Sequence, residues 1–213
     1  MLHNYLTVKE FGDNEITIQK SRFIASISRV TNEHDAQQFI QQIKKKYKDA
    51  THNCSAYTIG EHDQIQKAND DGEPTGTAGV PMLEVLKKKK LKDTVVVVTR
   101  YYGGIKLGAG GLIRAYGKAV SEGLTKTGIV ERKLKRLVKI TLDYSNLGKI
   151  ENELRLNNDY DLLDIIYNEN VEVKVSIDTK DEEKFVVYIT DLLNGKLVIS
   201  LGEVIYFESN VNF

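Results

Sequence analysis

The residues with the greatest chemical capacity form one run, Arg100-Tyr101-Tyr102-Gly103-Gly104-Ile105-Lys106-Leu107-Gly108-Ala109-Gly110-Gly111-Leu112-Ile113-Arg114. Arg100, Lys106 and Arg114 bring positive charge, and Tyr101 and Tyr102 offer faces on which a base can stack. Gly103, Gly104, Gly108, Gly110 and Gly111 permit positive φ and let backbone approach a ligand closely. A helix beginning inside the run presents unpaired N–H groups and a partial positive charge, which together attract anions. The same glycines also suit a tight strand-to-helix turn packed against its neighbours, so composition leaves both uses open. Two standard phosphate motifs are absent. Gly103–Gly108 is followed by Ala109 rather than the lysine of a Walker loop, and a dinucleotide fingerprint needs glycine where Ile113 stands.

A second reactive stretch is Asn69-Asp70-Asp71-Gly72-Glu73-Pro74-Thr75-Gly76-Thr77. Its three carboxylates and two threonines have the chemistry of a hard-cation site, but the alternating spacing of an EF-hand loop is missing. The same residues suit a turn shaped by Asp70 and Asp71, with Thr75 or Thr77 capping the helix that follows. No metal-ligand spacing or cofactor fingerprint is found, so no metal or cofactor is expected and no catalytic residue is assigned. His52 and Cys54 share a face of one strand, which by itself does not activate a thiol. Lys87-Lys88-Lys89-Lys90, with Lys92, suits either a phosphate backbone or the exposed end of a helix.

The elements that must position these groups follow from periodicity. Glu15–Lys20 and Arg22–Val30 alternate as strands do, and Asn32 or Asp35 caps a helix through Ala36, Phe39, Ile40, Ile43 and Tyr47. His52–Ile59 and Gln64–Ala68 read as a hairpin. Asn69–Gly79 is a loop before a helix whose first turn holds Pro81. Thr94–Tyr101 is apolar on both faces, as a central strand is. Leu112, Ala115, Tyr116, Ala119, Val120 and Leu124 recur at helical spacing after the glycines. A second unit, residues 129–213, reads β-α-β-β-α-β: a strand in Ile129–Leu142, a helix capped by Ser145, strands Tyr160–Tyr167 and Val171–Ile177, a helix opened by Asp181, and a strand Lys196–Phe207. This is the ferredoxin-like order. The fold class is thus mixed α/β in two domains, residues 1–128 and 129–213.

Charge also divides unevenly along the chain. Residues 1–138 hold 23 Lys+Arg against 15 Asp+Glu, a balance of +8, whereas residues 139–213 hold 7 against 15, a balance of −8. The basic part attracts phosphates and the acidic part repels them. The longest apolar run, Thr94–Thr99, is far too short for a membrane span, and the N-terminus lacks the apolar core of a secretory signal. With Cys54 the single cysteine of 213 residues, a cytoplasmic protein with no membrane partner is expected.

Four segments together resemble the IMPACT/YigZ family: Lys20–Ala25, Ala50–Tyr57, Asn69–Pro81 and Val95–Ala119. The resemblance covers roughly residues 1–125, and the acidic remainder is similar to the small extra domain of bacterial members. It implies a ribosomal-protein-S5-domain-2-like N-terminal fold and a ferredoxin-like C-terminal one. It also implies a translation-linked role, since eukaryotic relatives regulate translation through an added N-terminal module. This chain begins almost directly at the family domain, so the contact made by that module is not expected here. The leading expectation is a regulator that binds RNA or the ribosome through the basic glycine-rich surface. The alternatives are an enzyme acting on a phosphorylated small molecule or nucleotide, and an adaptor whose acidic C-terminal domain docks a protein partner. Whether the Asn69–Gly79 loop faces Arg100–Gly111 across one cleft, and where its carboxylates point, separates binder from enzyme.

Overall fold

The computed structural model describes residues 2–157 and 159–211. In chain order the elements are β1 (Asn4–Val8), β2 (Gly12–Ile18), β3 (Ser21–Arg29), α1 (Glu33–Lys46), β4 (His52–Ile59), β5 (Ile65–Asn69), α2 (Gly79–Lys88), β6 (Thr94–Tyr101) and α3 (Gly108–Thr127). They continue as β7 (Ile129–Leu142), α4 (Tyr144–Leu156), β8 (Tyr160–Tyr167), β9 (Val171–Asp178), α5 (Glu182–Leu192) and β10 (Val198–Val211). The chain divides into two compact units: Tyr5–Glu131 with residues 209–211, and Arg132–Glu208 with Leu2–Asn4. This is the mixed α/β, two-domain fold class read from the sequence. No described helix is long and apolar enough to cross a membrane.

The first unit is built on an antiparallel sheet of order β2-β3-β6-β4-β5. Its centre is β6, whose valines are all buried. Alternation splits them between two cores. Val95 and Val97 pack with Ile40 and Ile43 of α1, while Val96 and Val98 pack with Met82 and Leu86 of α2 and Leu112 and Tyr116 of α3. Helices therefore cover both faces, which is why β6 carries no polar alternation. Asn32 caps α1 by accepting from the Asp35 N–H at 2.9 Å.

In the second unit β7, β9 and β8 lie side by side, all antiparallel, and β10 also pairs with β7. That is the spatial order of a ferredoxin-like domain. Its core joins Val138, Ile140, Val173 and Val175 of the sheet to Ile150 and Leu154 of α4 and Phe185 and Ile189 of α5. Three local expectations need correction. Asp143, not Ser145, occupies the N-cap of α4, because the helix already begins at Tyr144. The last strand runs from Val198 to Val211, two residues later at its start and four at its end than expected. Strand β1 lies in a segment whose pattern suggests no element.

Candidate functional site

Strand β6 delivers Arg100 and Tyr101 to its C-terminal end, and the run to Leu107 carries the chain into α3. Five residues later than Arg100, the side chain of Ile105 is already exposed, so the turn lies at the surface. Its glycines divide between the two uses open to them. A Cβ on Gly103 would lie 2.1 Å from the backbone of Lys20, so this glycine exists for close packing. Gly108, at the first position of α3, has φ +70 and open space around it. Gly104 is likewise left-handed and unobstructed, and a Cβ on Gly110 would meet only the Arg114 guanidinium, at 3.5 Å. The start of α3 is therefore bare. Leu107 provides no side-chain cap and no acidic residue lies in the first turn, which leaves the terminal N–H groups facing outward.

The acidic loop faces this helix start. Glu73 and Pro74 line one cleft of about 340 Å³ together with Arg100, Tyr102, Lys106, Leu107, Gly108, Ala109 and Leu112. At its floor Arg100 donates from Nη1 to Glu73 Oε1 at 2.6 Å. Both side chains are almost wholly buried, 7% and 3% exposed. The Arg100 guanidinium lies over the rings of Phe23 and Tyr102, 5.4 and 5.5 Å from their centroids. Its Nη2 is 3.4 Å from Ser21 Oγ, and its buried Nε–H has no partner. Glu73 Oε1 also accepts from Tyr116 at 2.8 Å.

The other carboxylates of the loop point away from the cleft. Asp70 accepts from the backbone N–H groups of Gly76, Ala78 and Gly79 at 2.8, 3.0 and 2.8 Å. Burial opposes its ionisation, but these donors prevail and hold the carboxyl below its usual range. Asp70 thus caps α2 from nine residues upstream, the role expected of Thr75 or Thr77. Thr75 is exposed, and Thr77 instead donates to the Pro74 carbonyl at 2.6 Å. Asp71 pairs with Lys44 at 2.6 Å and accepts from the Asn53 N–H at 2.7 Å. Its φ of 44 is made tolerable by its own N–H donating to Asn69 Oδ1 at 2.8 Å. Gly72 and Gly76 take the remaining left-handed positions of the loop.

Strand β4 clamps the loop from behind. His52 Nδ1 lies 2.8 Å from the Asp71 carbonyl, and the Cys54 thiol lies 3.0 Å from that of Asp70 and 3.3 Å from the Tyr116 hydroxyl. Burial pushes the Cys54 thiol up to about 12; Tyr116 offsets a little of this, and Glu73, Asp71 and Asp70 add to it. Burial likewise raises the Tyr116 phenol far above its ordinary range. At neutral pH the cysteine is a protonated packing group and not a nucleophile.

The structure brings Arg100, Tyr102, Lys106 and Gly108 together with Glu73 and Pro74, and separates them from Tyr101. That ring lies on the opposite side of β6, under the Arg22 guanidinium at 5.1 Å, with its hydroxyl donating to Asp49 at 3.1 Å. Arg114 is exposed beside the first turn of α3. Sequence reasoning overlooked Ser21, Lys44, Asn53 and Tyr116 as parts of the site. Tyr116 alone left a signal, because a tyrosine at a core-facing helical position needs a partner for its hydroxyl.

Residues 19–124 match the model of the Impact N-terminal domain, and residues 140–196 match a domain of unknown function, DUF1949. The chain is 63% identical to the IMPACT family member YvyE of Bacillus subtilis (strain 168), covering 100% of this chain and 97% of that one. It is 34% identical to the IMPACT family member YigZ of Escherichia coli (strain K12), over 84% and 89% of the two chains. A crystal structure described as a hypothetical protein superposes with a TM-score of 0.60 at 30% identity, covering 95% of this chain and 99% of that one.

Proposed function

The chain belongs to the IMPACT family, and on that premise we propose that it is a translation-linked protein that binds RNA, free or in the ribosome, at the cleft beside α3. The link to translation comes with the family. The contact with RNA is supported by one observation above the rest: the loop Asn69–Gly79 and the bare start of α3 enclose a single cleft that contains a buried arginine.

The cleft matches the parts of a nucleotide. A phosphate fits the free N–H groups of the first turn of α3, where the helix dipole favours negative charge. Lys106 on the rim and Arg114 one turn along are exposed and neutralise the phosphates that follow. Tyr102, 46% exposed, is held by the Arg100 guanidinium on one side and offers its ring to a base. Arg100 itself is too deeply paired to be a mobile phosphate ligand, and acts by fixing Glu73 in the floor of the cleft and backing the Tyr102 ring.

The carboxylates weigh for binding over phosphoryl transfer. Asp70 and Asp71 are occupied by backbone N–H groups and Lys44, and Glu73, the loop carboxylate that lines the cleft, is tied to Arg100 and Tyr116. The test is binding of a short single-stranded RNA by the full chain across a range of salt, with Lys106→Ala/Arg114→Ala as the comparison. Weaker affinity and a shallower salt dependence in the variant are expected, and identical titrations would refute the site.

A further inference from the structure

A carboxylate in the floor of a phosphate cleft repels the ligand that the rest of the cleft attracts. Glu73 is nonetheless there, and only half of it is used by the protein. Its Oε1 accepts from both Arg100 and Tyr116. The His52 ring approaches its Oε2 only to 3.9 Å, from Nε2, beyond hydrogen-bond range. The floor therefore holds an anionic acceptor that the fold leaves open, next to an arginine N–H that is buried without a partner. A buried donor such as this Nε–H is costly unless something completes it. The ligand group that completes Glu73 must donate a hydrogen bond while standing next to an anion.

A ribose hydroxyl does this, and deoxyribose lacks it at the 2′ position. We propose that the cleft takes a ribonucleotide unit, with its phosphate at the start of α3 and a ribose 2′-hydroxyl donating to Glu73 Oε2. The assignment rests on the phosphate reading of the same cleft and adds to it a means of telling RNA from DNA. With the hydroxyl in place the carboxylate is satisfied. With deoxyribose Oε2 keeps no donor, although Arg100 and Tyr116 still hold Oε1.

The same chemistry occurs in an RNA chain and in a free nucleoside monophosphate, so the experiment uses both. Fluorescence anisotropy on the full chain at low salt compares a ten-nucleotide RNA with the DNA of the same sequence, and adenosine 5′-monophosphate with its 2′-deoxy form as competitors. The expected result is about tenfold tighter binding of the ribo form, the effect of one hydrogen bond to a charged group. Glu73→Gln keeps an oxygen for Arg100 and Tyr116 but presents an amide donor in place of Oε2. It is expected to bring the two forms within about twofold of each other while phosphate binding persists. Equal affinity for RNA and DNA in the native chain, with strong salt dependence, overturns the hydroxyl contact and leaves the phosphate site standing. A ribo preference that survives in Glu73→Gln overturns the role of Glu73. A ribo preference in the mononucleotides alone keeps the hydroxyl contact and removes RNA as the ligand, and absence of binding to every form removes both. Changing the sugar alters nothing in the protein, so the first comparison holds even if the variant folds poorly.

Discussion

Arg100 Nη1 and Glu73 Oε1 are 2.6 Å apart with both side chains almost fully buried, so one ion pair joins the end of the central strand to the acidic loop across the floor of the cleft. A buried pair stripped of one member leaves an uncompensated charge. Glu73→Ala should therefore lower stability by about 3–5 kcal/mol, and Glu73→Gln, which keeps the hydrogen bonds, by about 1–2 kcal/mol. Urea denaturation followed by circular dichroism measures both, and equal small losses would show that the pair does not organise the loop.

Alkali should unfold the protein through the same cluster. The Cys54 thiol titrates at about 12 in the folded chain against an ordinary 9.0, so the unfolded chain releases its proton first. Stability from this group is complete below pH 9 and falls as pH rises toward 12, by up to about 1.4 kcal/mol per pH unit. Tyr116, raised in the same sense, adds to the fall above pH 10. Cys54→Ala should flatten the first part of that slope. In the native chain at pH 8 the thiol should react with iodoacetamide far more slowly than in urea, and fast native alkylation would contradict the burial described.

Acid should act through Asp70. Its carboxyl is held below the usual range in the folded chain, so its contribution is present above the ordinary carboxylate pKa and lost as pH falls through the folded value. Asp70→Asn should cost about 1–2 kcal/mol at pH 7 as a weakened helix cap and less at pH 3. A cost independent of pH would show that the charge is irrelevant to the cap.

Much of this architecture is legible in the sequence because pattern and burial agree. The run TVVVVTRY marks β6 without ambiguity, since only a strand covered on both faces reads that way. The glycines and the acidic loop each stand out as unusual segments, but their pairing does not. The Glu73–Arg100 bond spans 27 positions, and periodicity carries no information about which strand end meets which loop. The capping of α2 escapes the sequence for a related reason. Capping rules look to the residue at the helix start, whereas Asp70 reaches back across a left-handed turn at Asp71 and Gly72. Tyr101 and Tyr102 are indistinguishable by composition, yet Tyr101 ends β6 beside Arg22 and Asp49 while Tyr102, one residue past the strand, lines the cleft.

Gly110→Asp should separate folding from function. Its Cβ has room, with only the Arg114 guanidinium near it, at 3.5 Å. An aspartate in the first turn favours the helix dipole by about 0.3–1 kcal/mol, so the melting temperature should hold or rise. The same charge stands where phosphate is to bind, so RNA affinity should fall at least about tenfold by like-charge repulsion. Unchanged binding in a stably folded variant would place the ligand elsewhere.

The most direct measurement is the salt dependence of RNA affinity for the native chain beside Lys106→Ala/Arg114→Ala. Both side chains are exposed, so folding should be untouched and melting curves should coincide. Each phosphate that a side chain neutralises on a single strand steepens the plot of log affinity against log salt by about 0.7. With two such cations removed, the double variant should bind more weakly and with a slope shallower by about 1.4. Native and variant titrations that superimpose, or a native chain that binds no RNA even at low salt, would contradict the assignment of this cleft.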